Sequence, residues 1–202
     1  MKKVRKILAL GIAAVMSMAL FASCGGGETE ATASMYVSVC NSYVADESLQ
    51  AFSDELFAAH PDWAEGETPV AVEAISMGSD DIDGTAYGAA IMQVTARAAT
   101  KELDIMICDE RNAARNARSD LFYSLDEIFT EEEIARFGET LSYEMVDTDG
   151  NPTGEWTPAC GVKISSPALD AIYGSGEYGI FIVGSTTHLD QAKEVFLALT
   201  AQ

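Results

Sequence analysis

The chain has 202 residues, 48% of them apolar, which is enough for a buried core in one domain. It carries 12 Lys and Arg against 32 Asp and Glu, a net charge of −20. That balance excludes nucleic acid as a partner, because affinity for a phosphate backbone comes from basic contacts. It also argues against lying flat on anionic lipid.

The first elements are not part of a core. Lys2, Lys3, Arg5 and Lys6 form a basic stretch, and Ile7–Phe21 is apolar with only Ser17 interrupting it. This run falls short of the ~20 residues a membrane span needs, and it has the layout of a secretory signal. Leu20-Phe21-Ala22-Ser23-Cys24 resembles the lipobox of bacterial lipoproteins. Phe21 stands where that family more often has Leu, with Leu20 one residue too early. The resemblance implies diacylglyceryl transfer to the Cys24 thiol and cleavage before it. Two or more acyl chains give stable anchoring, where a single chain is marginal. The expected plan is a signal peptide over 1–23, a lipidated Cys and flexible tether over 24–34, and one α/β lobe over 35–202. The expected location is the extracytoplasmic face of the cell membrane, held by the lipid anchor. The Gly-rich tether lacks large apolar residues and would reach roughly 35 Å when extended. Losing residues 1–23 removes four basic residues, leaving eight against 32 acidic ones and a net charge of −24. Of the remaining thiols, Cys40 and Cys108 fall in expected strands. They read as small buried hydrophobes, with a Cys40–Cys108 bridge left open, as is the state of Cys160.

Beyond the tether, Met35–Val44 reads as a first strand. Asp46 or Ser48 can cap the next helix, in which Leu49, Phe52, Leu56 and Phe57 recur at helical spacing until His60-Pro61 ends it. Pro69–Met77 is a second strand, Gly78–Gly84 an acidic loop, Thr85–Thr100 a second helix and Leu103–Cys108 a third strand. The order β-α-β-α-β predicts right-handed crossovers and a mostly parallel sheet with helices on both faces, three layers in all. A polar helix over 112–118 follows, then the apolar segment Leu121–Phe129 and an acidic helix over 131–137. Leu141–Asp149 reads as a strand closed by the turn Asp149–Pro152, and Gly161–Ile164 as a short strand. Pro167–Tyr173 is expected to be helical and Tyr178–Val183 a buried strand. Thr186 or Thr187 then caps a last helix over 189–199.

This order is similar to the first lobe of type II periplasmic-binding-protein folds, the extracellular solute-binding proteins of ABC transporters. The likeness rests on the lipobox and tether, the first strand ending in Asn41-Ser42, and the helix closing at Ala59-His60-Pro61-Asp62. It continues in the run Ala98–Met106, in Leu121–Phe129, and in the closing strand and helix Gly179–Leu199. The resemblance implies recognition of a small-molecule solute, with an ABC permease as the expected partner; the motifs below add no expectation of catalysis or of a cofactor. One departure is plain. Full-length members have two lobes closing around the ligand, whereas here about 30 residues around Leu141–Ile164 stand where the second lobe would be inserted. A degenerate lobe serving as a surface interaction or accessory protein is the alternative.

Chemical motifs are few. Gly174–Gly179 matches G-x-G-x-x-G but precedes a strand, whereas the dinucleotide fingerprint follows a strand and opens a helix. Neither acidic loop carries the full ligand set of a calcium site, and no metal site is expected. His60 and His188 lack a Cys or acid at ligand spacing. No nucleophile motif appears. What remains is the rim at the strand carboxyl ends, where open α/β sheets place ligands. Its candidates are Asn41 and Tyr43 after the first strand, Ser76 and Asp80 after the second, and Asp109, Arg111 and Asn112 after the third. Trp156, from the replacement segment, is expected to add an aromatic wall. Ligand identity, strand order and oligomeric state are left open.

Overall fold

A computed structural model describes residues 34–78 and 80–201, with backbone alone for 80–82. The expected signal peptide, Cys24 and the expected tether up to residue 33 lie outside the described residues.

Strand β1 (Met35–Asn41) runs parallel to β2 (Val70–Ser76) on one side and to β3 (Ile105–Asp109) on the other. The crossovers are helices α1 (Asp46–Ala59) and α2 (Asp80–Ala99). The N-cap of α1 is Ala45, without a side-chain cap; Asp46 and Glu47 instead sit in its first turn, where the helix dipole favours acids. His60 ends the helix ahead of Pro61. The acidic loop is already part of α2, with a break at Asp83 (φ −148°, ψ 88°). Asp83 Oδ1 accepts from the Thr85 and Ala86 N–H groups, so it caps the longer section that follows.

After β3 come α3 (Glu110–Ala117), α4 (Leu125–Ile128) and α5 (Glu131–Ile134), then β4 (Thr140–Leu141). A two-stranded ribbon of β5 (Glu144–Val146) and β6 (Pro152–Trp156) follows. The chain closes with β7 (Gly161–Lys163), α6 (Pro167–Tyr173), β8 (Tyr178–Ile182) and α7 (Leu189–Thr200). The expected strand over 141–149 is therefore split between the main sheet and the ribbon. The N-cap of α7 is His188; Thr186 accepts from its N–H, and the expected threonine cap is absent.

The main sheet has the order β2-β1-β3-β8-β7-β4. It is mixed: β8 lies antiparallel to both β3 and β7, and β4 is antiparallel to β7. The expected mostly parallel sheet is corrected here. A strand buried on both faces looks alike in sequence whichever way it runs, and β8 is buried along its whole length.

Alternation along the strands builds two cores. Val37, Val39, Ile105, Ile107, Ile180 and Ile182 face α1, α6 and α7. Cys40, Met106, Cys108 and Phe181 face α2 and α3. Helices on both faces thus give the three-layer α/β arrangement. Phe181 stacks on Phe122 at 4.5 Å. Its ring fills the space a side chain at Gly161 would need, so glycine at 161 is required by close approach.

Immediately before β3 lies a fully buried carboxylate, Asp104. It accepts from the Tyr36 N–H at 2.8 Å and the Thr186 hydroxyl at 2.5 Å, with His188 Nδ1 3.1 Å away. These contacts join β1, β3 and the start of α7. Stranding a buried charge by removing its partners typically costs about 3–5 kcal/mol. Cys40 and Cys108 are register neighbours, yet both are free thiols, as is buried Cys160.

Candidate functional site

The rim expected to hold a ligand is largely occupied by the protein itself. Helix α6 ends over it. The Tyr173 hydroxyl shares its one proton between the carbonyls of Ile107 (2.7 Å) and Cys40 (3.1 Å), the shorter contact being to Ile107, and so stitches β1 to β3. Asn41 Nδ2 donates to the Ile172 carbonyl at 2.8 Å. Asp109 caps α3, accepting from the Asn112 N–H at 2.7 Å and its side-chain amide at 3.1 Å. Asn112 is only 2% exposed. Arg111 lies over the Tyr87 ring at 5.2 Å. Ser76 is the register partner of Asn41 at the strand end, and Tyr43 is 72% exposed. Asp80 opens α2, and its side chain lies outside the description. The three loops do share one end of the sheet, but Asn41, Asp109 and Asn112 serve the fold there.

Open space does occur at the same end, displaced across β8. A cavity of about 400 Å³ is bounded by α3, by residues 139–144, by the base of the ribbon and by the ends of β7 and β8. This lies within the ~300–1,000 Å³ range of small-molecule sites. Of the expected residues, Trp156 alone lines it, at 62% exposure. The register pair Glu144–Trp156 holds the indole at the ribbon base. The Thr157 N–H donates to the Tyr143 carbonyl just below it, at 2.9 Å.

The charges in the pocket belong to residues not among the expected site candidates. Glu110, Ala114 and Arg118 lie on one face of α3 because residues four apart stack on a helix. That spacing was visible in the sequence. The Glu110 N–H donates to the Glu177 carbonyl at 3.2 Å, fixing the start of α3 against β8. Lys163 pairs with Glu177 at 2.5 Å and with Glu139 at 3.5 Å. The Glu177 hydrogen bond, then the Glu139 charge, raise the Lys163 ammonium above its ordinary range. Arg118 Nε donates to the Glu144 carbonyl at 2.7 Å, tying α3 to the ribbon. Four carboxylates (Glu110, Glu139, Glu144, Glu177) thus face two cations.

Nucleophilic chemistry finds little support in these groups. Burial, reinforced by the neighbouring Cys40 thiol, pushes Cys108 well above the ordinary thiol range. Burial pushes Cys160 up to about 11. Thiols held protonated are poor nucleophiles. His60 stacks on Trp63 at 3.9 Å, and His188 faces Asp104. Among the described residues, no group of three or more His, Cys, Asp or Glu is placed to hold a metal ion. Gly174–Gly179 links α6 to β8 and opens no helix. Among the described residues no helix is long and apolar enough to cross a membrane. In comparisons with known proteins, no family model, no curated protein and no solved structure matches the chain.

The same burial sets an alkaline limit. Cys160 rises from 9.0 to about 11, and Tyr178, through burial and then its bond to Asp170, from 10.0 to about 12. Raised pKa values mean that the folded state holds these protons more tightly. Their stabilisation is complete below the unfolded values and is lost as pH rises toward the folded ones. Melting temperature should therefore fall progressively from pH 9 to 12. Cys160→Ala should flatten the part between 9 and 11. An unchanged slope in that variant would show that Cys160 does not contribute.

Proposed function

We propose that the protein is a membrane-anchored extracytoplasmic solute-binding lipoprotein, built as one lobe of a type II periplasmic-binding-protein-like fold and serving an ABC uptake system. The observation that carries this reading is the pocket at the strand ends, with the solvent-exposed Trp156 indole forming one wall. The indole is 62% exposed and lines the cavity, so its ring is available as an apolar and stacking wall to a bound solute. The lipobox-like run ending at Cys24 supports the anchor. The acidic surface suits a domain held clear of anionic lipid.

In this reading the ribbon takes the part of the missing second lobe. It supplies a second surface against α3, so that a solute is covered from two sides. The closure of the original rim by α6 favours a second reading, an accessory lobe that binds a partner and no solute.

The protein holds two tryptophans, and Trp63 is buried. In a Trp63→Phe background, Trp156 is therefore the sole emitter. A bound solute should change its fluorescence and raise the melting temperature, and Trp156→Ala should weaken binding by roughly 1–3 kcal/mol, the range of an aromatic wall. If no solute among sugars, amino acids, peptides and amines moves either signal, the accessory reading replaces this one. Anchoring has its own test. Cys24→Ala should shift the protein from the membrane to the soluble fraction, and equal partitioning of variant and parent would end the lipoprotein assignment.

A further inference from the structure

Helix α3 presents two charged side chains to the pocket, Glu110 at its first turn and Arg118 at its C-cap, with Ala114 between them. Eight residues separate them, about 12 Å along the axis at about 1.5 Å per residue. The helix dipole accounts for an acid at one end and a base at the other. It does not account for both facing one cavity across a residue too small to fill it. Nor are the two joined: among the described residues the ion pairs at this site are those of Lys163 with Glu139 and Glu177. Arg118 spends Nε on the Glu144 carbonyl, which leaves the terminal guanidinium nitrogens as the fork for an incoming acid.

The geometry points to a zwitterionic solute as the ligand: an ammonium group at Glu110, a carboxylate at Arg118, and an apolar side chain against Trp156. This inference rests on the solute-binding reading and narrows it. A short peptide has these dimensions. Two extended residues span about 7 Å, and the reach of the Glu and Arg side chains covers the rest. The lysine at the far wall is already neutralised by its two glutamates, so it does not compete for the carboxylate. The net negative lining favours the ammonium end entering first, through long-range attraction.

The probe is glycyl-phenylalanine, titrated into the full-length protein in detergent while Trp156 emission is followed in the Trp63→Phe background. Its N-acetylated and C-amidated forms remove one charge each. The free dipeptide should bind, and each blocked form should bind about tenfold more weakly or worse, the loss expected for one charge-assisted hydrogen bond. In Glu110→Gln the free and acetylated forms should become equivalent while the penalty for amidation persists. In Arg118→Gln the free and amidated forms should become equivalent while the penalty for acetylation persists. Because Arg118 also braces Glu144, Arg118→Lys serves as a second variant. It keeps the charge and should retain part of the carboxylate preference. Equal binding of free and amidated forms to the parent would overturn the assignment in favour of a simple cation site. Response to an uncharged solute, with none to the dipeptide, would overturn it while leaving solute binding intact. Silence toward every solute class would remove both.

Discussion

Strand β3 is the constraint on which the rest depends, because a carboxylate is engaged at each end of it. Between Asp104 and Asp109 every side chain is apolar and fully buried. Such a strand has no preferred register of its own, since sliding it would exchange one apolar residue for another. The two carboxylates remove that freedom. Asp104 takes donors from Tyr36 and Thr186, which ties β3 to β1 and to the approach of α7. Asp109 turns the chain directly into α3 by capping it. Tyr173 then spans the carbonyls of β1 and β3 near the second end. A buried charge left without these donors is costly, so the ends specify what the apolar middle only stabilises.

The position of the pocket follows from that arrangement. With Asp109 used as a cap and α6 docked above β1 and β3, the original rim has little left to offer. The insertion of β8 beside β3 moves the free edge outward, and β7 and β4 extend it. Helix α3 leaves β3 without an intervening loop, so its outward face becomes one wall. The ribbon, rising from Tyr143 and Thr157, becomes the opposite one. Two-stranded ribbons are marginal alone. This one is braced by Arg118 at the Glu144 carbonyl, and the residue that braces it also lines the pocket.

Much of the architecture was legible before any coordinates. The three first strands, the two crossover helices and the helix stop at His60-Pro61 follow from apolar spacing and proline sterics. Strand direction was not legible, since Tyr178–Ile182 is apolar at nearly every position and carries no sign of its orientation. The ribbon strand Pro152–Trp156 was hidden because it is exposed along its length and so lacks the alternation that marks a half-buried strand. The rim residues were sound as strand-end markers. Asn41 and Asp109 were nevertheless recruited by neighbouring backbone groups, which a one-dimensional reading cannot see. Trp156 was expected as an aromatic wall from the replacement segment, and it does line the pocket. Glu110 and Arg118 could have been found by following the four-residue spacing from the end of β3.

The central claim is that the ribbon stands in for a second lobe. Residues 144–156 can be replaced by Asn-Gly, because Tyr143 and Thr157 already face each other across a backbone hydrogen bond and this dipeptide favours the two-residue hairpin turn. The decisive measurement is solute binding to that shortened protein by calorimetry, beside its thermal melt. A cooperative melt close to that of the parent is expected, with no detectable binding of any solute the parent binds. Undiminished binding by the shortened protein would contradict the claim, placing the site elsewhere and leaving the ribbon without this role.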